Sequence, residues 1–109
     1  MDKFVILILE SLYEDYYWLW ETYSECSQYY NKEHNNDFRQ EFKERISILI
    51  GKGYISVYED EGDIYAGEEK QIEPEITDEF LEELLNHENM TGIMMTTSLV
   101  GRKELEKSW

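Results

Sequence analysis

The sequence predicts an α+β fold in a single domain spanning residues 1–109, with a helical N-terminal half, then a small antiparallel sheet and further short helices. Three observations predict it. No glycine or proline occurs before Gly51, an unbroken stretch that favours helices. Within that stretch, apolar residues recur at three- and four-residue steps, the spacing of a helix face. At Tyr54 the pattern changes to a β-branched and aromatic run, YISVY, followed by a glycine-bearing turn. A chain of 109 residues is close to the commonest domain size and suffices for one core.

In the first segment Val5, Ile8, Leu9, Leu12, Tyr16 and Leu19 trace a helical face, which Phe4, Ile6 and Leu7 widen. The first helix should therefore lie deep in the core. A break is expected near Glu14-Asp15, with Asp15 capping a second helix through YYWLWETYSEC. In that helix Leu19 and Trp20 should be core, with Tyr17 and Trp18 nearer the surface. Ser27 to Asp37 is polar and asparagine-rich and reads as a loop. Asn36 or Asp37 should cap a third helix that buries Phe38, Phe42, Ile46, Leu49 and Ile50 and stops at Gly51 and Gly53.

Tyr54 to Tyr58 is the expected first strand. The turn EDEGD follows, with Gly62 free to take a positive φ, and Ile64, Tyr65 and Ala66 form a short return strand. Gly67 to Gln71 reads as a second turn or loop. A fourth helix starts at a Thr77 cap, stapled by Ile76 and Leu81, with Phe80, Leu81, Leu84 and Leu85 turned inward. HENMTG turns the chain into a strand, GIMMTT, that can pair with YISVY, and SLVGRKELEKSW closes as a helix with lysines near its C-terminal end. Three helices, a strand hairpin and appended elements are the order of a winged-helix-like domain, whose third helix reads the major groove in DNA-binding proteins.

Charge bears on that function. Lys and Arg number 10 against 25 Asp and Glu, a net charge of −15. Such a charge disfavours nucleic acid and anionic membranes and favours basic proteins. The expected third helix carries Arg39, Lys43, Arg45 and Lys52 against Asp37, Glu41 and Glu44, a net of +1. Arg39, Lys43 and Arg45 could build a groove-reading face, which makes a winged-helix transcriptional regulator the alternative function. The same residues also suit a solvated face with neighbouring opposite charges, such as Glu41 with Arg45. From Val57 to Glu83 there are twelve carboxylates and one lysine, a net of −11. A wing of that charge repels a duplex. It fits either a solvated acidic surface or a cationic partner, and the tyrosines interleaved with it favour a partner.

Other chemistries find little support in the residues. Cys26 stands alone, so no intrachain disulfide forms; it reads as a small buried apolar residue in a reducing compartment. The apolar run FVILIL is six residues long and is followed at once by Glu10, which is neither a signal peptide nor a membrane span; the expected location is the cytoplasm. EDEGD is loosely similar to a calcium loop but lacks its ligand spacing. Glu83 and His87 make at most half a zinc site. The motifs of phosphate-binding loops and serine hydrolases do not occur, and no carboxylate pair stands out as a glycosidase pair. The expectation is a non-enzyme with no cofactor and no metal. The aromatic run YEDYYWLWETYSECSQYY has acids between its rings where a single-strand platform would carry bases.

Leu19-Trp20-Glu21, then LIGKGYISVY (Leu49 to Tyr58), LLNHENM (Leu84 to Met90) and TTSLVGRKELEK (Thr96 to Lys107) resemble a group of small bacterial winged-helix proteins. Some of these are immunity proteins of toxin–immunity pairs, encoded beside secreted or contact-delivered toxins of the contact-dependent growth inhibition type. This sequence departs from the group at Met90, where Trp is frequent, and at TTSLVG, where TEKG-like residues stand. The resemblance covers most of the chain. It implies a cytoplasmic inhibitor of a cognate toxin domain, a basic nuclease, acting by electrostatic occlusion. The contact residues would be Glu59, Asp60, Glu61, Asp63, Glu68 and Glu69, with Tyr58 and Tyr65 as anchors.

Overall fold

The computed structural model describes residues 1–60, 69–86 and 92–109, the side chains of Asp60 and Glu69 excepted. Among these residues five helices surround one side of a three-stranded antiparallel sheet: α1 (Lys3–Ser11), α2 (Leu19–Tyr29), α3 (Asn36–Gly51), β1 (Ile55–Asp60), β2 (Glu69–Ile72), α4 (Asp78–Leu85), β3 (Ile93–Thr97) and α5 (Leu99–Glu106). The fold is α+β with a helical N-terminal half, and its element order is the winged-helix-like one. No helix among the described residues is long and apolar enough to cross a membrane.

Local chemistry explains the helix starts. The Asp2 carboxylate accepts the Val5 N–H at 2.8 Å, Asn35 accepts from Phe38 at 2.9 Å, and Thr77 accepts from Phe80 at 3.1 Å. The cap of α3 is thus Asn35, one residue before the expected Asn36 or Asp37. At the other end of α3, Gly53 takes φ +76. Its N–H bonds the Ile50 carbonyl at 3.0 Å, and the Tyr54 N–H bonds that of Leu49 at 2.9 Å. These two bonds satisfy the last carbonyls of the helix and turn the chain into β1.

The second helix begins later than its sequence suggests. Tyr16 to Trp18 are not helical. Tyr17 exchanges backbone bonds with Met95 on β3 (2.9 and 2.8 Å), and the chain becomes helical only after Trp18, whose N–H bonds the Glu21 carboxylate at 3.1 Å. Asp15 caps no helix; its carboxylate accepts the Tyr16 N–H at 2.8 Å. Tertiary pairing overrides helical propensity here. The C-terminus of α1 is closed by β3 as well. Thr97 donates its hydroxyl to the Leu9 carbonyl at 2.8 Å and its N–H to that of Leu12 at 2.9 Å, while the Thr96 hydroxyl reaches Leu12 at 3.1 Å. Carbonyls that α1 cannot satisfy itself are therefore satisfied from the far end of the chain.

The sheet order is β2-β1-β3, so β1 is central and β3 does pair with the YISVY segment. The partner on the other edge is Glu69–Ile72, a segment that reads as loop in the sequence. Ile64 to Ala66, the expected return strand, and the turns around Gly62 and HENMTG lie outside the described residues. Alternation divides the sheet cleanly. Ile55, Val57, Met95 and Thr97 are buried against the helices, and Ser56, Tyr58, Gln71, Met94 and Thr96 lie on the other side.

The core joins this inner face to Phe4, Ile8, Leu9 and Leu12 of the first helical stretch, Leu19 and Cys26 of α2, and Phe38, Phe42, Ile46 and Leu49 of α3, with Leu81, Leu84 and Leu85 of α4 and Leu105 of α5. Ile50 and Phe80 are half-buried against it. Phe4 meets Phe38 edge-on at 5.1 Å between centroids, and Tyr23 meets Phe42 the same way at 5.1 Å. Trp20, expected in the core, is half-buried and stacks on Trp18 at 5.9 Å.

Helix α5 sits against the Tyr54 backbone, just before β1, at Gly101, where a Cβ would collide with the Tyr54 carbonyl oxygen and come within 2.9 Å of Thr97 Cγ2 on β3. Gly101→Ala should destabilise the protein by about 3 kcal/mol, because backbone must move to admit one methyl group. Gly51→Ala, whose Cβ meets nothing within 4 Å, should be neutral or stabilising by about 0.5 kcal/mol. Urea unfolding of the two variants beside the wild type checks both; equal midpoints would contradict the close approach.

Candidate functional site

The expected contact residues fall into three groups. Tyr58 and Glu59 are described fully. Asp60 and Glu69 are placed by their backbone, directly opposite each other where β1 and β2 end. Glu61, Asp63, Tyr65 and Glu68 lie outside the described residues. Tyr58 and Glu59 do not share a face. Glu59 has the alternation of Ile55 and Val57, is exposed, and stands across from Lys70 on β2 and Ile93 on β3. Tyr58 belongs to the opposite side, where its ring meets that of Tyr16 edge-on at 5.0 Å.

Among the described residues that opposite side forms an open groove of about 620 Å³. Ser56, Tyr58, Gln71 and Thr96 make its floor, Tyr16, Glu14 and Asp15 one wall, and Leu99, Val100 and Arg102 of α5 another. The bend that brings Tyr17 to β3 also places Tyr16 beside Tyr58. The bend is thus what adds the Glu14 and Asp15 carboxylates, both exposed, to the sheet face. Leu99 and Val100 occupy the first turn of α5 after the Ser98 cap and are 68% and 55% exposed. They are the most apolar groups on this surface. Sequence reasoning missed Tyr16, Leu99 and Val100; the available signal was two aliphatics directly after a capping serine, on a short helix whose inward positions are Gly101 and Leu105.

The α3 cations are the groups a DNA-binding function would need, and all three are committed to carboxylates of this chain. Arg39 grips Glu82 with two nitrogens, at 2.9 and 2.7 Å, and lies over the Tyr23 ring at 5.3 Å. Lys43, only 6% exposed, contacts Asp78 and Glu82, each at 2.7 Å. Arg45 reaches Asp2 at 2.9 Å and Glu41 at 2.8 Å and lies over Phe4 at 5.0 Å. Hydrogen bonds from Arg39, then Lys43, outweigh the desolvation of Glu82 and hold its pKa down at about 2. Burial pulls Lys43 down, but the bonds to Asp78 and Glu82 overcome it and leave its pKa above the ordinary lysine value.

Cys26 is fully buried, and desolvation pushes its thiol up to about 12, far from nucleophilic. His34 is exposed, and His87, the second half of the candidate zinc pair, lies outside the described residues. Among the described residues no three His, Cys, Asp or Glu side chains gather as a metal site. Family models, curated proteins and solved structures were compared with this chain, and none matches it.

The Glu82 network sets an acid limit on stability. A carboxylate with a folded pKa near 2 and an ordinary value of 4.5 stabilises the fold at pH above about 4.5, and that contribution disappears as pH falls toward 2. Urea midpoints measured from pH 6 to pH 2.5 should fall more steeply for the wild type than for Glu82→Gln. Parallel curves would mean that Glu82 titrates normally.

Proposed function

We propose that this chain is an immunity protein: it binds a cognate toxin domain, a basic nuclease, and neutralises it by covering its cationic surface. The observation that carries this reading is the fate of the positive charge. The chain has a net charge of −15, and the three α3 cations suited to phosphates already hold carboxylates of their own. What remains for a partner is predominantly negative. The carboxylates at and beyond the end of β1, Glu59, Asp60, Glu61, Asp63, Glu68 and Glu69, are the electrostatic contact, and Tyr58 and Tyr65 are its anchors. Opposite fields then raise the encounter rate toward roughly 10⁸ M⁻¹ s⁻¹ at low salt, which suits an inhibitor that must act before its target does. Inhibition is occlusion, with no bond made or broken on this chain. The sequence resemblance to winged-helix immunity proteins points the same way.

The tests follow from charge. The toxin domain encoded beside this gene should bind in isothermal titration, and reversing Glu59, Glu61 and Asp63 together to lysine should weaken binding by several kcal/mol. Unchanged affinity would refute the contact assignment. In a gel shift at low salt a DNA duplex should not bind. Robust, steeply salt-dependent duplex binding would instead establish the transcriptional-regulator alternative and overturn the immunity reading.

A further inference from the structure

We infer that the open sheet face is a second part of the partner site, a polar floor with aromatic and aliphatic walls, built to receive a basic protein segment that presents an aromatic or aliphatic side chain. The inference rests on the immunity reading and extends it from the acids that attract the partner to the surface that holds it. Among the described residues the helical core packs on one side of the sheet, and the other side is an open groove walled by the first turn of α5 and by residues 14–16. Its size, about 620 Å³, accommodates one large side chain with its flanking backbone. Tyr16 and Tyr58 offer ring faces and edges, and Leu99 and Val100 offer aliphatic surface that is largely exposed. Exposed aliphatics beside half-buried tyrosines form the composition of an interface centre with a polar rim.

Charge complementarity selects the occupant. Glu14 and Asp15 flank Tyr16 on the wall, while the cation of the groove, Arg102, is drawn over the Tyr13 ring at 5.2 Å. The carboxylates therefore set the potential met by an incoming segment. β1 also carries the floor residues Ser56 and Tyr58 and, next along the same strand, Glu59 and Asp60 of the acidic contact, so the two parts of the site share one strand. A second copy of this chain is the disfavoured occupant, because two chains of charge −15 repel each other.

The test uses two probes on the intact ¹⁵N-labelled protein in 25 mM salt: the peptide acetyl-Arg-Trp-Arg-Lys-Arg-amide and a counterpart with glutamate at every basic position. The basic peptide should shift the amides of Ser56, Tyr58, Thr96 and Leu99, and the acidic one should not. Leu99→Arg should raise the apparent Kd at least tenfold while the melting temperature stays that of the wild type, since Leu99 is exposed. Three results overturn the inference. Shifts confined to Glu59, Lys70 and the residues between β1 and β2 would leave the acidic contact standing without the groove. A failure of the basic peptide to bind anywhere would remove the electrostatic basis of the immunity reading as well. A wild-type dimer in analytical ultracentrifugation that Leu99→Arg dissociates would assign the face to a second copy.

Discussion

A lysine side chain that is almost fully buried must bring its counter-charge with it, and Lys43 obtains two carboxylates from a single helix. Asp78 and Glu82 stand one turn apart on α4, so one face of that helix supplies both. Glu82 then holds Arg39 as well. The position of α4 over α2 and α3 is fixed by this geometry together with the burial of Leu81, Leu84 and Leu85 beneath it. Without α4 the ammonium would be stranded at a cost of several kcal/mol. The same network removes positive charge from the surface of the third helix, which in a groove-reading protein would have to remain available.

A division of labour between the two ends of the molecule follows. Helices, aromatic rings and ion pairs are concentrated on one side of the sheet, where Phe4, Tyr23, Phe38 and Phe42 pack among themselves. The other side of the sheet carries tyrosine, threonine, serine and glutamine, with two bare aliphatics beside them. A small sheet that keeps one face open has a use for that face or pays in aggregation, and the surrounding negative charge opposes self-association.

Much of the fold was legible in the sequence because periodicity and capping chemistry agreed. The third helix, its stop at Gly53, the Thr77 cap and the pairing of GIMMTT with YISVY all followed from local pattern. Two elements did not. Tyr16 to Trp18 reads as helix because its neighbours are aromatic and lack breakers, yet the Tyr17 backbone is claimed by a strand 78 positions away, and no local signal encodes that bond. Glu69 to Ile72 is charged and lacks a β-branched run; it is a strand because β1 offers it an edge. The candidate site was legible as charge and as Tyr58. Composition revealed the acids, whereas the groove required knowing the strand register, which separates Tyr58 from Glu59, and the bend that delivers Tyr16.

The bonds between β3 and the end of α1 join residues up to 88 positions apart. During synthesis α1 emerges well before the strand that completes it. At roughly 5–20 residues per second the ribosome needs about 4 to 18 s to bridge that interval. Nascent chains therefore carry an apolar helix without its lid until β3 has emerged. This sets a lag between the synthesis of α1 and its closure, and chaperone capture of the early helix would lengthen it.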